Sequence, residues 1–322
     1  MRIFVVAMAA MAFAQQQSSV IRVPVRLVTV PALVLSPDGR TVNGLTAADF
    51  RLLDESRPQR ITVDTEITPV SIAVVLQANR EVRDYVPFIA KTGTLIDALI
   101  AGEGGEAALV TCNDEVSVAK PFDSGDLSAA LRKVVAEGES SHMLDAASHA
   151  IDLLRHRPAT RTRILLLIGQ PMDRGSETKL EALREAAERE DLIVFAMTLP
   201  MFGKAFVSDT FTLEGLSSKT DRGGFRVGTD AKHLVQVLDR TAAAQQQTDP
   251  FSVLTAATGG TQIHFRKQDE LEGALAAVGL QVRSAYVLSF APDSPTAGYH
   301  AIRVEVRSPS AKVYARPGYW LR

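Results

Sequence analysis

The 322-residue sequence contains a single cysteine, Cys112, and a single tryptophan. With one cysteine, no disulfide can form within the chain, so the fold depends on core packing. Lysine and arginine total 35 residues against 37 aspartate and glutamate residues, which gives a formal net charge of -2. The sequence therefore lacks the basic excess that is typical of proteins binding nucleic acids or anionic membranes. We expect neither kind of partner.

The sequence also lacks a hydrophobic run long enough to cross a membrane, which takes about 20 apolar residues. Its first 14 residues combine one basic residue with an apolar stretch and end in Ala12-Phe13-Ala14, before polar Gln15. This pattern is typical of a cleavable signal peptide, which we assign to residues 1–14. We therefore expect a secreted or periplasmic protein. A buried first strand or a misassigned start codon is the alternative.

Common motifs of catalysis and nucleotide binding are missing as well. No G-x-S-x-G elbow is present, and neither Gly223-Gly224 nor Gly259-Gly260 fits a phosphate-binding pattern. Cys112 ends a strand-like run, which favours a buried structural thiol. Ser141 and His142 are adjacent, and adjacent residues on a helix do not face each other, so no catalytic triad with a nearby aspartate is expected. We expect no enzymatic activity, no catalytic residues and no cofactor.

Three histidines, His142, His149 and His156, recur every seven residues. Helical spacing places them on one face. Neighbours are then about 10.5 Å apart along the helix axis, which is too far for two of them to share a metal ion. We expect a solvated face with local His–Asp pairs, opposite an apolar face formed by Leu144, Ala147, Ile151 and Leu154.

Hydrophobic patterning divides the chain after the signal peptide into three parts. Residues 20–68 and 284–322 alternate as β-strands do, and residues 69–283 alternate strands with amphipathic helices. The run Val70–Leu76 is apolar on both faces, as in a central parallel strand. The sequence therefore predicts an α/β fold with a doubly wound, mostly parallel sheet. The flanking segments are expected to pack together as a small β-sandwich.

Finer predictions follow from local signals. Pro24 and Pro31 favour edge strands, Ser176 favours a helix N-cap, and the terminal aromatics Tyr314, Tyr319 and Trp320 favour packing within the small β domain. Residues 200–228 have no clear period and are expected to form an irregular loop. The predicted strands of the α/β part are 70–77, 106–112, 115–121, 163–169, 192–199 and 261–265, and the predicted helices are 83–101, 125–136, 143–156, 177–190, 231–243 and 269–282.

Several motifs, in order along the chain, resemble those of the secreted von Willebrand factor A (vWA)-related proteins that are common in Acidobacteria. Gly44–Ile61 resembles the entry segment of that family, and Leu254–Thr261 resembles its T-G-G motif. Tyr286–Pro292 and Val313–Tyr319 resemble its carboxyl-terminal motifs. The resemblance implies a vWA domain, which typically holds a divalent cation at a metal-ion-dependent adhesion site and binds an anionic group of its partner.

The sequence departs from the family at that adhesion site. The Asp-x-Ser-x-Ser motif after the first strand corresponds to Gln77, Asn79 and Glu81, and the aspartate of a later strand corresponds to Gly169. Both carboxylates are thus replaced by neutral residues. Because carboxylate charge largely sets the affinity for hard cations, we expect a degenerate site without bound metal.

Residual ligands leave an alternative open. Ser141 stands at the threonine position of the second loop, Arg80 adds a positive charge to the first loop, and Asp173 follows the later strand. Together with Asn79 and Glu81, the oxygens of Ser141 and Asp173 are the candidates for residual Mg²⁺, Mn²⁺ or Ca²⁺ binding.

The resemblance implies a non-enzymatic protein that binds another protein or an extracellular polymer. The expected contact surface comprises residues 77–81, 140–145 and 169–174, with residues 200–228 as a further contact. Arg80 and Arg174 are expected to meet an anionic group of the partner. The alternatives are a structural scaffold with a vestigial ligand site and metal-dependent adhesion through the residual oxygen ligands.

Overall fold

The structure is a computed structural model that describes residues 27–38, 40–64, 68–122, 126–200, 249–283, 286–293, 296–308 and 310–321. The predicted signal peptide, the predicted helix 231–243 and the predicted loop 200–228, apart from Pro200, lie outside the described residues. Within the described ranges, the α-helices are α1 (Val86–Ile89), α2 (Gly93–Leu95), α3 (Leu127–Leu131), α4 (Met143–Arg155), α5 (Leu180–Arg189), α6 (Pro250–Thr258) and α7 (Gln268–Arg283).

Strands form three sheets in the described residues. They are β1 (Val28–Leu35), β2 (Phe50–Asp54), β3 (Arg57–Pro58), β4 (Ile61–Asp64), β5 (Val70–Gln77), β6 (Glu106–Cys112), β7 (Val116–Lys120), β8 (Thr162–Gly169), β9 (Ile193–Thr198), β10 (Gln262–His264), β11 (Tyr286–Phe290), β12 (Gly298–Val306), β13 (Lys312–Ala315) and β14 (Gly318–Leu321). The central sheet has six strands in the order β10–β9–β8–β5–β6–β7, and its pairings are parallel except that of β6 with β7.

Helices cover both faces of the central sheet. Along β5, Ile72, Val74 and Leu76 belong to the core on the side of α7, whereas Ala73 and Val75 belong to the core on the side of α4. Every residue of β5 is buried, which explains its unbroken apolar run. The predicted α/β fold with a doubly wound, mostly parallel sheet is confirmed.

The β-sandwich is also confirmed. One sheet has the order β13–β1–β11–β4 and the other β14–β12–β2–β3, so each sheet combines strands from both flanking segments. Along β1, alternate residues from Val28 to Val34 enter the sandwich core, while Leu33 and Leu35 pack in the core of the α/β part. This period of two lets one strand serve two cores.

Pro31 lies in an interior strand, so the predicted edge position is wrong for it. It is opposite Val287 of β11, but β13 pairs with β1 only from Ala32 to Leu35. Proline lacks the N–H that a second neighbour would require. β1 therefore tolerates Pro31 because its other side carries no registered partner at that residue.

Two predicted helices are shorter than expected. Residues 80–101 form short 3₁₀ and α segments and end in a π-helical turn, Ile96–Ala101, in which the Gly102 N–H donates to the Asp97 carbonyl at 2.7 Å. Gly93 in this region lies so close to Ser128 that a Cβ on Gly93 would stand 2.5 Å from the Ser128 Cα. Only a residue without a side chain fits at this contact. The predicted helix 125–136 is helical only from Leu127 to Leu131.

The terminal aromatics divide between two environments. Tyr319 is buried in the sandwich core and its hydroxyl donates to the Asp54 carboxylate at 2.9 Å, as expected. Tyr314, by contrast, packs against the α/β core. Trp320 lies under the Arg189 guanidinium and donates its indole N–H to Glu188 of α5 at 3.0 Å. Tyr314 and Trp320 therefore join the sandwich to the α/β part.

Asp97 in the π-helical turn gives the fold a pH-dependent contribution. Burial, together with the charge and hydrogen bond of neighbouring Asp126, raises the pKa of the Asp97 carboxyl to about 6. The folded state therefore holds this proton more tightly than the unfolded chain, so the ionised carboxylate destabilises the fold above pH 6, and the penalty fades as the pH falls below 6. A pKa raised from 3.8 to about 6 corresponds to about 3 kcal/mol, which solvent screening reduces because the side chain is partly exposed.

We expect Asp97→Asn to raise the free energy of unfolding by about 1–2 kcal/mol at pH 7.5 and by much less at pH 4. Urea unfolding at both pH values measures the difference. Asp84→Asn, at an exposed position in the same helical region, is the matched control and is expected to have little effect. An equal gain from Asp97→Asn at both pH values would contradict this account.

Candidate functional site

The candidate site lies where two adjacent parallel strands end. β5 and β8 pair in register up to Leu76 and Ile168, so the next residues, Gln77 and Gly169, stand side by side at the carboxyl edge of the central sheet. The loop before α4 reaches the same edge, because the Ser141 N–H donates to the Arg174 carbonyl at 3.2 Å. The structure thus brings together the three loops that the sequence predicted.

A buried cluster of side-chain amides occupies this edge. The Gln77 Nε2 donates to the Asn79 Oδ1 at 3.0 Å and to the Gln170 Oε1 at 3.2 Å. The Gln77 Oε1 in turn accepts the backbone N–H of Gln170 at 2.6 Å. All three side chains are at most 4% exposed. We call Gln77, Asn79 and Gln170 the amide cluster.

Glycine at position 169 is required by this cluster. A Cβ on Gly169 would lie 2.6 Å from the Met143 Cε, 2.8 Å from the Gln77 Oε1 and 2.9 Å from the Gln77 Cβ. The Gln77 side chain and the Met143 methyl group therefore occupy the space that a carboxylate at position 169 would need. The two departures from the family motif, at positions 77 and 169, are sterically linked.

Ser141 fastens one loop to another. Its side chain is almost fully buried, and its Oγ donates to the Met172 carbonyl at 3.3 Å and accepts the Arg174 N–H at 3.0 Å. Neither of these bonds involves the neighbouring His142 ring. The geometry thus lacks the nucleophile–base hydrogen bond of a catalytic triad.

Asp173 caps a helix. Its Oδ1 accepts the Leu144 N–H at the start of α4 at 3.0 Å and the Ser176 hydroxyl at 2.7 Å. Negative charge is stabilising at the amino terminus of a helix. A reciprocal bond exists: Asp145 of α4 accepts the N–H groups of Glu177 and Thr178 at 3.1 and 2.9 Å. Burial raises the pKa of Asp145, but these hydrogen bonds and the one from His142 outweigh it and leave that pKa lowered.

The prediction of Ser176 as a helix N-cap is wrong. The helix begins at Leu180, with Lys179 as its N-cap, and Ser176 instead bonds to Asp173 and accepts the Asp145 N–H at 3.1 Å. The Asp145 carboxylate accepts the N–H groups of Glu177 and Thr178, the two residues after Ser176. These bonds keep both residues outside the helix.

His142 does not belong to the helical face of the other two histidines. It precedes α4 with φ 25° and ψ 41°, a left-handed conformation that is strained for a residue with a side chain. Its Nδ1 lies 3.5 Å from Asp145, which agrees with the predicted local pair. His149 and His156 are exposed, and the opposite apolar face of α4 is buried, as the sequence predicted.

Two exposed ion pairs stand above the amide cluster. Arg80 pairs with Glu139 of the second loop, and Arg174 of the third loop pairs with Glu81 of the first. The Arg80 and Arg174 side chains are 62% and 49% exposed. Each arginine thus links two loops while its guanidinium stays open to solvent.

The amide cluster does not fit a divalent cation. A hard cation needs several oxygen ligands, preferably carboxylates, yet the Gln77 amide oxygen already accepts the Gln170 N–H, and its NH₂ group donates toward the oxygens of the other two amides. Ser141 and Asp173 are likewise engaged by the backbone. In the part of the chain that the structure describes, no three His, Cys, Asp or Glu side chains are grouped so that they could hold a metal ion.

Cys112 is fully buried behind the cluster. Its thiol lies 3.5 Å from the Met143 Sδ and 3.8 Å from the Leu76 carbonyl oxygen. Burial raises the pKa of the Cys112 thiol far above its usual range, with a smaller contribution from the Asp173 charge. The thiolate that nucleophilic chemistry requires is therefore disfavoured.

Sequence reasoning placed Gln170 and Met143 within the expected contact surface but did not predict their roles, and it missed Asp114. Asp114 lies in the turn between β6 and β7, and its Oδ1 accepts the N–H groups of Glu139 and Ser140 at 2.9 and 2.8 Å, bonds that lower its pKa. The sequence does contain one indication for Gln170, because this residue directly follows Gly169 at the carboxyl end of a predicted strand. For Asp114 and Met143 the contacts are long-range, and the sequence offers no comparable signal.

None of the helices in the described ranges combines the length and the apolarity that crossing a membrane requires.

No protein-family model matches the sequence, and no curated protein matches it. Among solved structures, the chain is similar to proximal thread matrix protein 1 from the mussel byssus, with a TM-score of 0.45 and 11% identity over 78% of this chain and 50% of that one. It spans about half the length of that mussel protein. It is also similar to a von Willebrand factor type A protein from Catenulispora acidiphila, with a TM-score of 0.44 and 10% identity over 94% and 76% of the two chains. A third similarity is to the vWF domain of the type V pili tip protein Mfa5 from Porphyromonas gingivalis, with a TM-score of 0.28 and 16% identity over 32% and 38% of the two chains.

Proposed function

We propose that this chain is an exported, non-enzymatic binding protein that recognises a protein or an extracellular polymer through the carboxyl edge of its parallel sheet, without a bound metal. The recognition surface, here called the edge surface, comprises residues 77–81, 140–145 and 169–174. The observation that carries the proposal is the amide cluster, because closed amide–amide hydrogen bonds stand where the family resemblance implies metal ligands.

Rigid support and exposed charge suit the edge surface to recognition. Its loops are tied together by the partly buried hydrogen bonds of Ser141, Asp173 and Asp145, so a partner would meet a preorganised surface. Arg80 and Arg174 are half-exposed or more, and an exposed ion pair contributes only about 0–1 kcal/mol. An anionic group of a partner can therefore replace Glu139 or Glu81 at little cost.

We expect Arg80→Glu combined with Arg174→Glu to reduce partner capture at least tenfold while the thermal midpoint changes little. Charge reversal removes both guanidinium contacts and places like charges beside Glu139 and Glu81, so an anionic partner is repelled. The measurement is capture of extracellular and envelope material from the source organism on immobilised mature chain, compared between wild type and variant. Capture is expected to persist in a chelator.

A charge-swapped variant, Arg174→Glu with Glu81→Arg, separates recognition from folding. It keeps an ion pair between the two loops but moves the positive charge, so its stability is expected to match wild type while its capture falls. Arg303→Gln, on the β-sandwich and 69% exposed, is the control for arginine loss elsewhere. Unchanged capture by both edge-surface variants would contradict the proposal and favour a scaffold with a vestigial site. Capture that requires Mg²⁺, Mn²⁺ or Ca²⁺ would favour metal-dependent adhesion.

A further inference from the structure

A cavity of about 460 Å³ lies between the central sheet and the β-sandwich. Its walls come from the amino ends of β8 and β9, the carboxyl ends of α6 and α7, and the sheet that contains β1, β11 and β13. The edge surface follows the carboxyl ends of β5 and β8, so it lies at the opposite edge of the central sheet. The cavity is therefore a separate feature with its own chemistry.

The cavity has an apolar interior of a size that suits a small molecule. Leu33, Phe195, Ile193, Val287 and Tyr314 are among its lining residues, interspersed with threonines. Small-molecule sites typically measure about 300–1,000 Å³ and combine apolar walls with a few polar groups. Exposed residues such as Ala159 and Arg283 form part of its lining, so the space opens to solvent and a ligand can enter it.

Positive charge is in excess around the cavity. The lining includes Arg161, Arg163, Arg283 and Arg316 but only one carboxylate, Asp191. Two of these arginines pair with carboxylates outside the lining. Arg161 pairs with Glu106, which is shared with Arg157. Arg163 pairs with Glu190, which is shared with Arg155. Arg283 donates to the carbonyls of Leu99 and Ala98, at 3.0 and 2.7 Å. The excess of positive charge around the cavity thus favours binding of an anion.

Arg316 supplies a polar group without a full set of partners. Its side chain is only 10% exposed; one terminal nitrogen pairs with Asp191, and the other donates to the Thr29 carbonyl at 2.6 Å. The Arg316 Nε is buried and has no hydrogen-bond partner among the described residues. Asp191, the ion-pair partner of Arg316, is 57% exposed, so an anion that enters the cavity can compete with Asp191 for the guanidinium.

We propose that this cavity binds a small amphiphilic anion, a hydrocarbon body that carries one carboxylate. The carboxylate contacts the Arg316 guanidinium, and the hydrocarbon body packs against the partly exposed side chains of Ile193, Val287 and Tyr314. Both requirements of the cavity are then met, since the apolar walls are covered and the excess positive charge is balanced.

The test is calorimetric titration of the full mature chain with dodecanoate below its micelle concentration. Dodecan-1-ol and dodecyltrimethylammonium are the neutral and cationic probes of equal chain length, and dodecyl phosphate is a second anion that tests the headgroup. Saturable binding of one dodecanoate per chain, at least tenfold tighter than the alcohol, with a raised thermal midpoint, is the expected result. Absence of saturable binding, or equal affinity for anion, alcohol and cation, would overturn the proposal.

Variants locate the site. Val287→Trp fills the cavity from its half-buried wall position and is expected to abolish dodecanoate binding. Arg316→Lys is expected to weaken binding roughly tenfold or more, because a charge-assisted hydrogen bond is lost. If either variant fails to fold by circular dichroism, Arg283→Gln carries the test, with weaker anion binding expected. Unchanged binding by a folded Val287→Trp variant would place the ligand elsewhere and overturn the proposal.

The edge-surface variant that combines Arg80→Glu with Arg174→Glu is the matched control and is expected to bind dodecanoate as wild type does. Its loss of partner capture together with intact dodecanoate binding would separate the two proposals. Arg303→Gln controls for nonspecific attraction between the anion and an exposed arginine on the sandwich.

Discussion

Replacement of Gln77 by leucine is expected to lower the free energy of unfolding by about 3 kcal/mol, since it leaves several buried polar groups without partners. Leucine approximates the volume of glutamine but can neither accept nor donate a hydrogen bond. The Gln170 N–H, which now donates at 2.6 Å, and the Asn79 Oδ1 would both lose their bonds to Gln77. Urea unfolding measures the change, with an unchanged m-value showing that only stability has shifted.

Gln59→Leu is the matched control, because its side chain makes one long bond, 3.5 Å to the Arg57 carbonyl, in an exposed setting. It is expected to change stability by about 0.5 kcal/mol or less. A loss of similar size from both substitutions would mean that the amide cluster contributes little to the fold.

Gln77→Glu probes the same cluster by charge. A carboxylate there would turn an acceptor toward the Asn79 and Gln170 oxygens, so the folded state would favour the protonated acid. The pKa in the folded state is then raised, and the destabilisation at pH 7 is expected to fade as the pH falls.

Replacement of Gly169 by alanine is expected to cost about 2–3 kcal/mol, because overpacking forces side chains from their preferred positions. The added Cβ would stand within 3.0 Å of Met143 and of the Gln77 side chain, both fixed in a buried environment. Thermal and urea unfolding check the expected loss.

Gly273→Ala is the matched control for this substitution. Gly273 lies in α7 with nothing within 4 Å of an added Cβ, so alanine should stabilise the chain there by about 0.5–1 kcal/mol. Opposite signs at the two positions would support steric linkage between positions 77 and 169. A neutral Gly169→Ala variant would show that Gln77 and Met143 can move aside.

A substitution at position 169 also tests metal binding. Gly169→Asp alone restores a carboxylate but collides with Gln77, so it is expected to destabilise the fold without creating Mg²⁺ affinity. At this edge of the sheet, packing and amide hydrogen bonds join the ends of β5 and β8. Such a site is stable without a cation because its polar groups already satisfy one another.

The fold class followed from patterning. The unbroken apolar run of β5 and the alternation of β1 each reflect how many faces of a strand are buried, which is a local property that residue order can show. Residues 80–101 were harder to predict, because the π-helical turn at Ile96–Ala101 depends on close contacts with distant segments: a Cβ on Gly279 of α7 would stand 2.5 Å from the Leu99 carbonyl oxygen. Periodicity does not record such contacts.

The site was predicted in part. The meeting of Gln77, Ser141 and Gly169 followed from strand order and from the family resemblance. The roles of Ser141 and Asp173 did not, because a hydroxyl or carboxylate near a strand end can serve a cation, a loop or a helix terminus equally well by composition. Only the positions of the Arg174 and Leu144 N–H groups select loop fastening and helix capping.

The sequence by itself determined that this chain builds a doubly wound sheet flanked by a sandwich, and that neutral residues end the two central strands. These features depend on hydrophobic periodicity and residue identity, and both can be read directly from the sequence. Only the tertiary structure decided that Gln77 fills the space beside Gly169. It also decided that Arg80 and Arg174 link loops through Glu139 and Glu81, and that a cavity lies between the central sheet and the β-sandwich. Each of these depends on distances between segments far apart in the chain, which are fixed only when the two cores pack against each other.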